Sequence, residues 1–293
     1  MEVRTQPEVI LNRLKDERIV PPDCELGRQM SGTTEGCVYI VNRGDHPVYI
    51  LKMDAPEYVR MVSDFLRTYE GPLIPALHFT DPACDYFVYA YLSGTVHDER
   101  GRKADWLKTL SEMLLNRYER VSSIKGWGWL DEPRGSWTEL LQLSVAQARQ
   151  TIGDLLPAED HEMVMRLPAA IYRSRDPEAY LLHGDCGVHN FVFESSRLQG
   201  VIDPIPMIGP PHYDFLFAFC SSPDDLTMET LLEGASSLDS SALHQTDRRT
   251  RIEEVLVLLY CRIGTCLKHH SLDLPDYIRA WAYWRKLRNE EPI

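Results

Sequence analysis

The sequence predicts an α+β protein in which a small β-rich N-lobe precedes a larger, mainly helical C-lobe. Two runs rich in β-branched and aromatic residues, 38–41 and 48–51, flank a polar turn, which is a hairpin pattern. Beyond residue 92, apolar residues recur at spacings of three and four, as in amphipathic helices. We therefore expect an N-lobe at residues 1–92 and a C-lobe at 93–293, with a cleft between them for ligands.

The remaining N-lobe elements follow from local patterns. Residues 1–20 are weakly helical, and a second helix is predicted after Pro56, where apolar residues return at helical spacing. Two further strands are expected at 76–79 and 86–92. Together with the hairpin, these segments predict a small sheet with helices beside it.

The C-lobe elements are predicted in the same way. Apolar residues from Trp106 to Val121 have helical spacing, and Ser136 with Glu139 forms a capping box for a second helix. A long helix is expected at 248–267, and Pro275 suits the first turn of a last one. These helices make up most of the C-lobe.

Charge and composition exclude several classes of protein. The 293 residues carry a net charge of −13, the opposite of the basic balance that nucleic-acid binding requires. The N-terminus has no signal-peptide pattern, and the longest apolar run, 255–260, is far shorter than the roughly 20 residues that span a bilayer. The seven cysteines suggest no disulfide framework. We expect a soluble cytoplasmic protein that binds neither nucleic acid nor membranes, with an acidic surface that favours cationic partners.

One segment, 181–219, carries a set of residues suited to catalysis. It contains His183-Gly184-Asp185, then Asn190 five residues after the aspartate and Asp203 eighteen residues after it. Two short strands are predicted between them, at 191–193 and 200–202. Phosphoryl transfer requires a base for the acceptor hydroxyl and metal ions that neutralise the phosphates. Magnesium prefers carboxylate and amide oxygens, so two aspartates and one asparagine supply that chemistry.

These motifs resemble a known family. The pattern H-G-D-x(4)-N, followed by I-D-P and by G-P-P-x-x-D at 209–214, is similar to that of the aminoglycoside phosphotransferases, distant relatives of protein kinases. The resemblance implies a two-lobed, protein-kinase-like fold. It implies Asp185 as catalytic base, Asn190 and Asp203 as Mg²⁺ ligands, His183 as support for the loop, and Asp214 as a structural aspartate.

The resemblance also implies a nucleotide site for ATP, with GTP possible. Ser31, Gly32 and Thr33 lie in a small-residue loop whose backbone N–H groups would approach phosphate oxygens. Lys52 matches the strand lysine that contacts the α- and β-phosphates, and Glu57 is its nearest candidate partner on the following helix.

The inter-lobe linker of the family has a counterpart at residues 86–94. There the backbone of Ala90 and Leu92 would hydrogen-bond to adenine.

The acceptor is expected to be a hydroxyl of a small, amine-bearing and cationic molecule. An aminoglycoside antibiotic is the first choice, which would make the protein a resistance enzyme; choline-, sugar- and homoserine-type kinases share the motifs. Carboxylates and aromatic rings of the C-lobe are candidate pocket residues. They are Asp224, Asp225, Glu229, Glu233, Asp239, Glu253, Trp281, Tyr283 and Trp284.

A second class of function is a non-catalytic, kinase-like protein that binds nucleotide and regulates a partner. The presence of the base, both metal ligands and the strand lysine favours the enzyme. A protein kinase is disfavoured, because no A-P-E pattern follows Asp203.

Overall fold

The computed structural model describes residues 6–30, 36–96, 98–173, 176–239 and 247–291. The chain divides into two units. The first contains Met1–Gly94 and Gln199–Ile202, and the second contains Thr95–Leu198 and Asp203–Ile293. The first unit thus ends two residues beyond the expected Leu92 and gains a short segment from later in the chain.

The first unit is built on a five-stranded antiparallel sheet with strand order β1-β2-β3-β5-β4. Its strands are β1 Cys24–Met30, β2 Cys37–Arg43, β3 His46–Met53, β4 Leu77–Thr80 and β5 Tyr86–Ala90. The predicted hairpin is confirmed as β2 and β3, with Arg43 paired to His46 and Gly44 at φ +59° in the turn. Strand β1 was not predicted. Most of its residues are exposed at the edge of the sheet, so its sequence lacks a regular alternation of apolar and polar positions.

Two helices accompany this sheet, α1 Pro7–Asp16 and α2 Pro56–Thr68. Each has proline in its first turn, where the missing N–H costs no helical hydrogen bond. Ile10, Leu11 and Leu14 of α1 are buried in one cluster with Val41 and Val88 of the sheet. The helix predicted after Pro56 is confirmed, and it buries the face that the apolar spacing indicated.

The second unit is mainly helical. The described helices are α3 Lys103–Met113, α4 Trp137–Ile152, α5 Ala158–Ile171, α6 Pro211–Cys220, α7 Met228–Ala235, α8 Arg248–His269 and α9 Leu274–Glu290. Helix α8 is central: residues 252–260 are all buried, and it packs against α4, α5, α6 and α9. Helix α3 ends earlier than the apolar spacing predicted, because Leu114 leaves helical geometry and a 3-10 turn, Leu115–Arg117, follows.

Short strands carry the loops of the second unit. Strands β7 Gly128–Trp129, β8 Tyr180–Leu182 and β11 Met207–Gly209 form a sheet in the order β7-β11-β8. Strand β6, Thr95–Val96, pairs antiparallel with β9, Phe191–Glu194. Strand β10, Arg197–Val201, follows β9 along the chain, and its residues from Gln199 onward are assigned to the first unit. Every helix in the described ranges is too short or too polar to cross a membrane.

Candidate active site

The loop that contains the H-G-D motif connects β8 to β9. Gly184 has φ +80°, a conformation that favours glycine, and a Cβ there would collide with the carbonyl oxygen of Ile205. Val188 N–H donates to Ser221 Oγ at 3.0 Å, so α6 also holds the loop through the residue that follows it. The loop is therefore packed closely against Ile205 before Asp185 and hydrogen-bonded to Ser221 after it.

The carboxylate of Asp185 is held by two side chains from the same loop. His189 Nε2 lies 3.1 Å from Oδ1 and 3.0 Å from Oδ2. Asn190 Nδ2 donates to the backbone oxygen of Asp185 and to Oδ2, both at 2.9 Å. With 26 % of its side chain exposed, the carboxylate is oriented and still accessible.

The charge state of Asp185 follows from these contacts. Burial by itself raises the pKa of Asp185, but the hydrogen bond and charge of His189, with smaller contributions from His183 and Asn190, outweigh it. The pKa therefore lies below its ordinary value. The carboxylate is ionised at neutral pH and able to accept a proton.

A fully buried carboxylate supports the start of the loop. Asp214, in the first turn of α6, accepts hydrogen bonds from Tyr118 Oη at 2.7 Å, His183 N at 2.9 Å and Gly184 N at 3.2 Å. Burial raises the pKa of Asp214 to about 6, although these donors oppose the shift. Asp214 thus has the structural role that the resemblance implied. Tyr118 lies in the run from Trp106 to Val121 whose spacing predicted a helix, and that spacing gives no sign of its hydrogen bond to Asp214.

The two predicted metal ligands have the oxygen chemistry that magnesium prefers. Because Asn190 uses its amino group toward Asp185, its carbonyl oxygen is not engaged in those two bonds. Asp203 is half-buried and has φ +53°, a conformation concentrated at functional sites. Within the described ranges, no group of three or more His, Cys, Asp or Glu residues is placed to hold a metal ion. An amide oxygen and a carboxylate are donor types that magnesium accepts beside water and phosphate oxygens, so Asn190 and Asp203 stay the predicted ligands.

In the first unit, Lys52 occupies the centre of the sheet. It lies on β3, paired with Val38 of β2 and Phe87 of β5, and is only 3 % exposed. Its Nζ donates to Tyr58 Oη at 2.9 Å. Glu57, the expected partner, is exposed in the first turn of α2, one residue before Tyr58.

The linker residues continue the same sheet. Ala90 N–H donates to Ala76 O at 2.9 Å, and Tyr91 N–H donates to Val48 O at 3.0 Å. Leu92 follows the end of β5 and is half-buried. Ser31, Gly32 and Thr33 lie outside the described residues.

A cavity of about 380 Å³ opens beside the catalytic loop within the second unit, with Asp185 and His189 in its wall. Helices α4, α6 and α8 supply most of the remaining lining. Aromatic groups come from Trp129, Tyr213 and Phe217, and aliphatic groups include Leu141, Val257 and Leu258. Hydroxyl and amide groups come from Ser144, Gln147, Thr151 and Thr265. A mainly apolar cavity with a few polar groups is typical of a small-molecule site.

The carboxylates and aromatic residues suggested for the acceptor pocket do not line this cavity. Several have structural roles instead: Glu233 pairs with Arg102 and Lys108, and the indoles of Trp281 and Trp284 donate to Asp160 and to the Leu226 carbonyl. These residues lie outside the lining of the cavity beside Asp185, because composition does not tell which face of a helix points inward.

Comparison with protein families decides the class of the chain. The sequence model of the phosphotransferase enzyme family, APH, matches residues 38–246, which is more than half of the chain. The chain belongs to this family. The resemblance that the motifs indicated is confirmed, and so is the enzyme class: the protein is a small-molecule phosphotransferase.

Solved structures agree on the fold of this phosphotransferase. Aminoglycoside phosphotransferase APH(2'')-Ib, bound to ADP, is 17% identical with a TM-score of 0.57, over 97% of this chain and 99% of that one. The gentamicin complex of APH(2'')-IIa is also 17% identical, with a TM-score of 0.58 over 96% and 97% of the two chains. Choline kinase from Cryptosporidium parvum is 12% identical, with a TM-score of 0.55 over 97% and 96%. The predicted α+β, protein-kinase-like fold is confirmed. No curated protein sequence is significantly similar to the chain.

Proposed function

We propose that this phosphotransferase transfers the γ-phosphoryl group of ATP or GTP, with Mg²⁺, to a hydroxyl of a small molecule bound in the cavity beside Asp185. One observation carries the proposal: the carboxylate of Asp185 faces this cavity while His189 and Asn190 hold it in place. A general base must lie within hydrogen-bond reach of the proton that it removes. The cavity offers room for an acceptor at that distance.

In the reaction, the acceptor hydroxyl loses its proton to Asp185 and its oxygen forms a bond to the γ-phosphorus. The bond from that phosphorus to the β,γ-bridging oxygen breaks, and the nucleoside diphosphate leaves. Because the pKa of Asp185 is held below its ordinary value, the carboxylate is present in the form that accepts the proton. His189 and Asn190 keep it oriented toward the hydroxyl.

Asn190 and Asp203 would hold Mg²⁺ through their side-chain oxygens. Such a site would supply positive charge that offsets the negative charge of the phosphates during transfer. Lys52 would contact the nucleotide phosphates with its ammonium group. The role of Ser31, Gly32 and Thr33 in holding the phosphates stays a prediction from the sequence. Glu57 remains a candidate for positioning Lys52, beside the hydrogen bond to Tyr58.

The linker geometry suits adenine recognition by backbone groups. The N–H groups of Ala90 and Tyr91 already donate to backbone oxygens of the sheet. We therefore assign the donor to adenine to the N–H of Leu92, and the acceptor to the carbonyl of Ala90. Adenine presents this pair as the N1 acceptor and the N6 amino donor. Guanine presents the reverse pattern, an O6 acceptor beside the N1–H donor, so GTP would use the same backbone groups only with its base shifted in the site.

The amine-bearing acceptor remains a separate prediction. The net charge of −13 and the likeness to the gentamicin-bound enzyme support an aminoglycoside. The cavity gives that acceptor little support, because Asp185 is the one carboxylate among its lining residues in the described part of the chain. Choline- and sugar-type acceptors fit the family equally well.

The test is product analysis by mass spectrometry after incubation with Mg²⁺ and either ATP or GTP. The acceptor panel contains aminoglycosides, amino alcohols, neutral sugars and hydroxy acids, and Asp185→Asn serves as the inactive reference. A phosphorylated acceptor that disappears with Asp185→Asn is the expected result. If the wild-type protein binds nucleotide but phosphorylates no member of the panel, the non-catalytic, nucleotide-binding alternative gains support instead.

A further inference from the structure

Basic side chains outnumber acidic ones in the wall of the cavity, although the protein has a net charge of −13. Arg262, Lys268 and His269 of α8 lie in its wall, together with His189 of the catalytic loop. Asp185 is the sole acid of that lining among the described residues. Because these α8 residues follow Val257, Leu258 and Cys261 at helical spacing, one face of the helix presents both the apolar and the basic groups.

The arginine and the lysine that line the cavity form no ion pair with a carboxylate within the described part of the chain. Arg262 is half-buried and donates from Nε to Tyr277 Oη at 2.9 Å, a neutral partner. Lys268 is exposed, and no ion pair is formed with it among the described residues. Several other arginines of α8 and α9 are paired with carboxylates: Arg249 and Arg288 with Glu253, and Arg285 with Asp160.

The positive charge of Arg262 acts on the pKa values of two neighbouring residues, His270 and Cys266. The pKa of His270 is lowered, first by burial and then by the charge of Arg262, with His269 and His189 acting in the same direction and Asp273 against them. Arg262 also acts to lower the pKa of Cys266, against the larger effect of burial and a smaller effect of Asp273. Arg262, Lys268 and His269 thus place basic side chains at the end of α8 beside the cavity, in a chain with a net charge of −13.

We propose that the acceptor carries an anionic group, a carboxylate or a phosphate, and that Arg262 and Lys268 bind it while the reacting hydroxyl lies at Asp185. This assignment rests on the proposed function. A planar guanidinium is suited to bidentate recognition of carboxylate or phosphate, and an ammonium adds a second charge. A polycationic aminoglycoside would place ammonium groups near these same cations, which is unfavourable.

The size of the cavity is consistent with such an acceptor. A volume of about 380 Å³ is at the lower end of the range for small-molecule sites. Trp129, Tyr213 and Phe217 would pack against a carbon skeleton between the hydroxyl and the anionic group. The acceptor class is therefore a compact hydroxy acid, sugar acid or sugar phosphate.

The experiment compares acceptors that share a carbon skeleton and differ in one substituent, which is anionic, neutral or cationic. One set is D-glucuronate, D-glucose and D-glucosamine, a second is glycerate, glycerol and 3-amino-1,2-propanediol, and glucose 6-phosphate separates phosphate from carboxylate. Transfer from ATP with Mg²⁺ is measured for each, and binding to the nucleotide-free protein is measured by calorimetry. The variants are Arg262→Gln and Lys268→Gln, with Lys286→Gln as a control, since Lys286 is exposed on α9 outside the cavity.

We expect the anionic members to be preferred as acceptors. Each cavity variant should raise the KM or Kd of these acceptors about tenfold, the effect of losing a hydrogen bond to a charged group. The KM for ATP should be unchanged. Lys268→Gln keeps the test valid if Arg262→Gln does not fold, because Lys268 is exposed. Preference for neutral or amine members, or a raised KM for ATP instead, would overturn the anionic acceptor and leave the proposed function intact.

Binding separates the two proposals when no transfer occurs. If anionic members bind, and bind more weakly to the variants, the anionic site is upheld and the proposed function fails. If no member is phosphorylated and no anionic member binds, both proposals are rejected.

Discussion

The imidazole of His189 contacts both carboxylate oxygens of Asp185, at 3.0 and 3.1 Å. The two residues are four positions apart in one loop, so the segment that provides the proposed base also provides the group that orients it. Both side chains are partly exposed to the same cavity. We regard His189 as a positioning residue for Asp185.

Replacing His189 tests this relationship. His189→Ala should lower kcat by about tenfold or more, the loss expected for one hydrogen bond to a charged group, with little change in the KM for ATP. His189→Gln should recover part of the activity, because its amide can still donate to the carboxylate. Steady-state kinetics of both variants are compared with His46→Ala, an exposed histidine of β3. Equal kcat in His189→Ala and His46→Ala would remove the positioning role.

The hydroxyl of Tyr118 joins the buried carboxylate of Asp214 to the backbone of His183. Tyr118→Phe removes that hydroxyl and should lower the free energy of unfolding by about 1–3 kcal/mol, because buried polar groups lose a partner. Urea denaturation measures the change. Tyr180→Phe is the matched control: its hydroxyl donates to an exposed Glu178 at 3.3 Å, and its loss should cost no more than about 0.5 kcal/mol. Similar losses in the two variants would contradict a structural role for Tyr118.

Gly184 combines a left-handed backbone with a close approach to Ile205. Gly184→Ala should therefore destabilise the protein by about 2–4 kcal/mol, the cost of the conformation plus a backbone collision. Gly44→Ala separates these two effects. Gly44 also has a positive φ, but a Cβ there meets no atom within 4 Å, so only about 1 kcal/mol should be lost. If both variants unfold at the same urea concentration, the contact with Ile205 has no energetic importance.

Lys103 is a buried cation whose Nζ donates to the carbonyl oxygens of Phe219 at 3.0 Å and Ser222 at 2.9 Å. Burial lowers the pKa of Lys103 to about 8, although Asp224 opposes the shift. Between about pH 8 and the ordinary lysine value near 10.5, the unfolded chain binds the proton that the folded one has lost. Stability therefore rises with pH in that window, by at most about 1.4 kcal/mol per pH unit.

The measurement for Lys103 is a difference between variants. The free energy of unfolding of the wild type minus that of Lys103→Met should increase from pH 8 to pH 10. The same difference taken with Lys286→Met should stay constant, because Lys286 is exposed. Tyrosines titrate in all three proteins and cancel in the comparison. A constant difference for Lys103→Met would show that its pKa is not lowered.

Features that depend on neighbouring residues were predictable from the sequence. The hairpin of β2 and β3 and the start of α2 at Pro56 are as expected. Ser136 Oγ accepts the N–H of Glu139 at 3.1 Å, as the capping box predicted, although the Glu139 carboxylate accepts the N–H of Gly135. The loop that joins Asp185 to Asn190 is equally local. Turn chemistry, capping and residue spacing act within a few positions, so the sequence by itself determined these elements and the phosphotransferase motif.

Tertiary structure alone decided which distant side chains meet. Tyr118 and Asp214 are 96 positions apart, and Lys103 reaches carbonyls more than 100 positions away. Arg262 faces the cavity of Asp185 only because α8 packs with that side toward the catalytic loop. Helical spacing marks a residue's face but not what lies opposite it. Long-range packing therefore determined the support of the loop and the charged side chains that line the cavity beside Asp185.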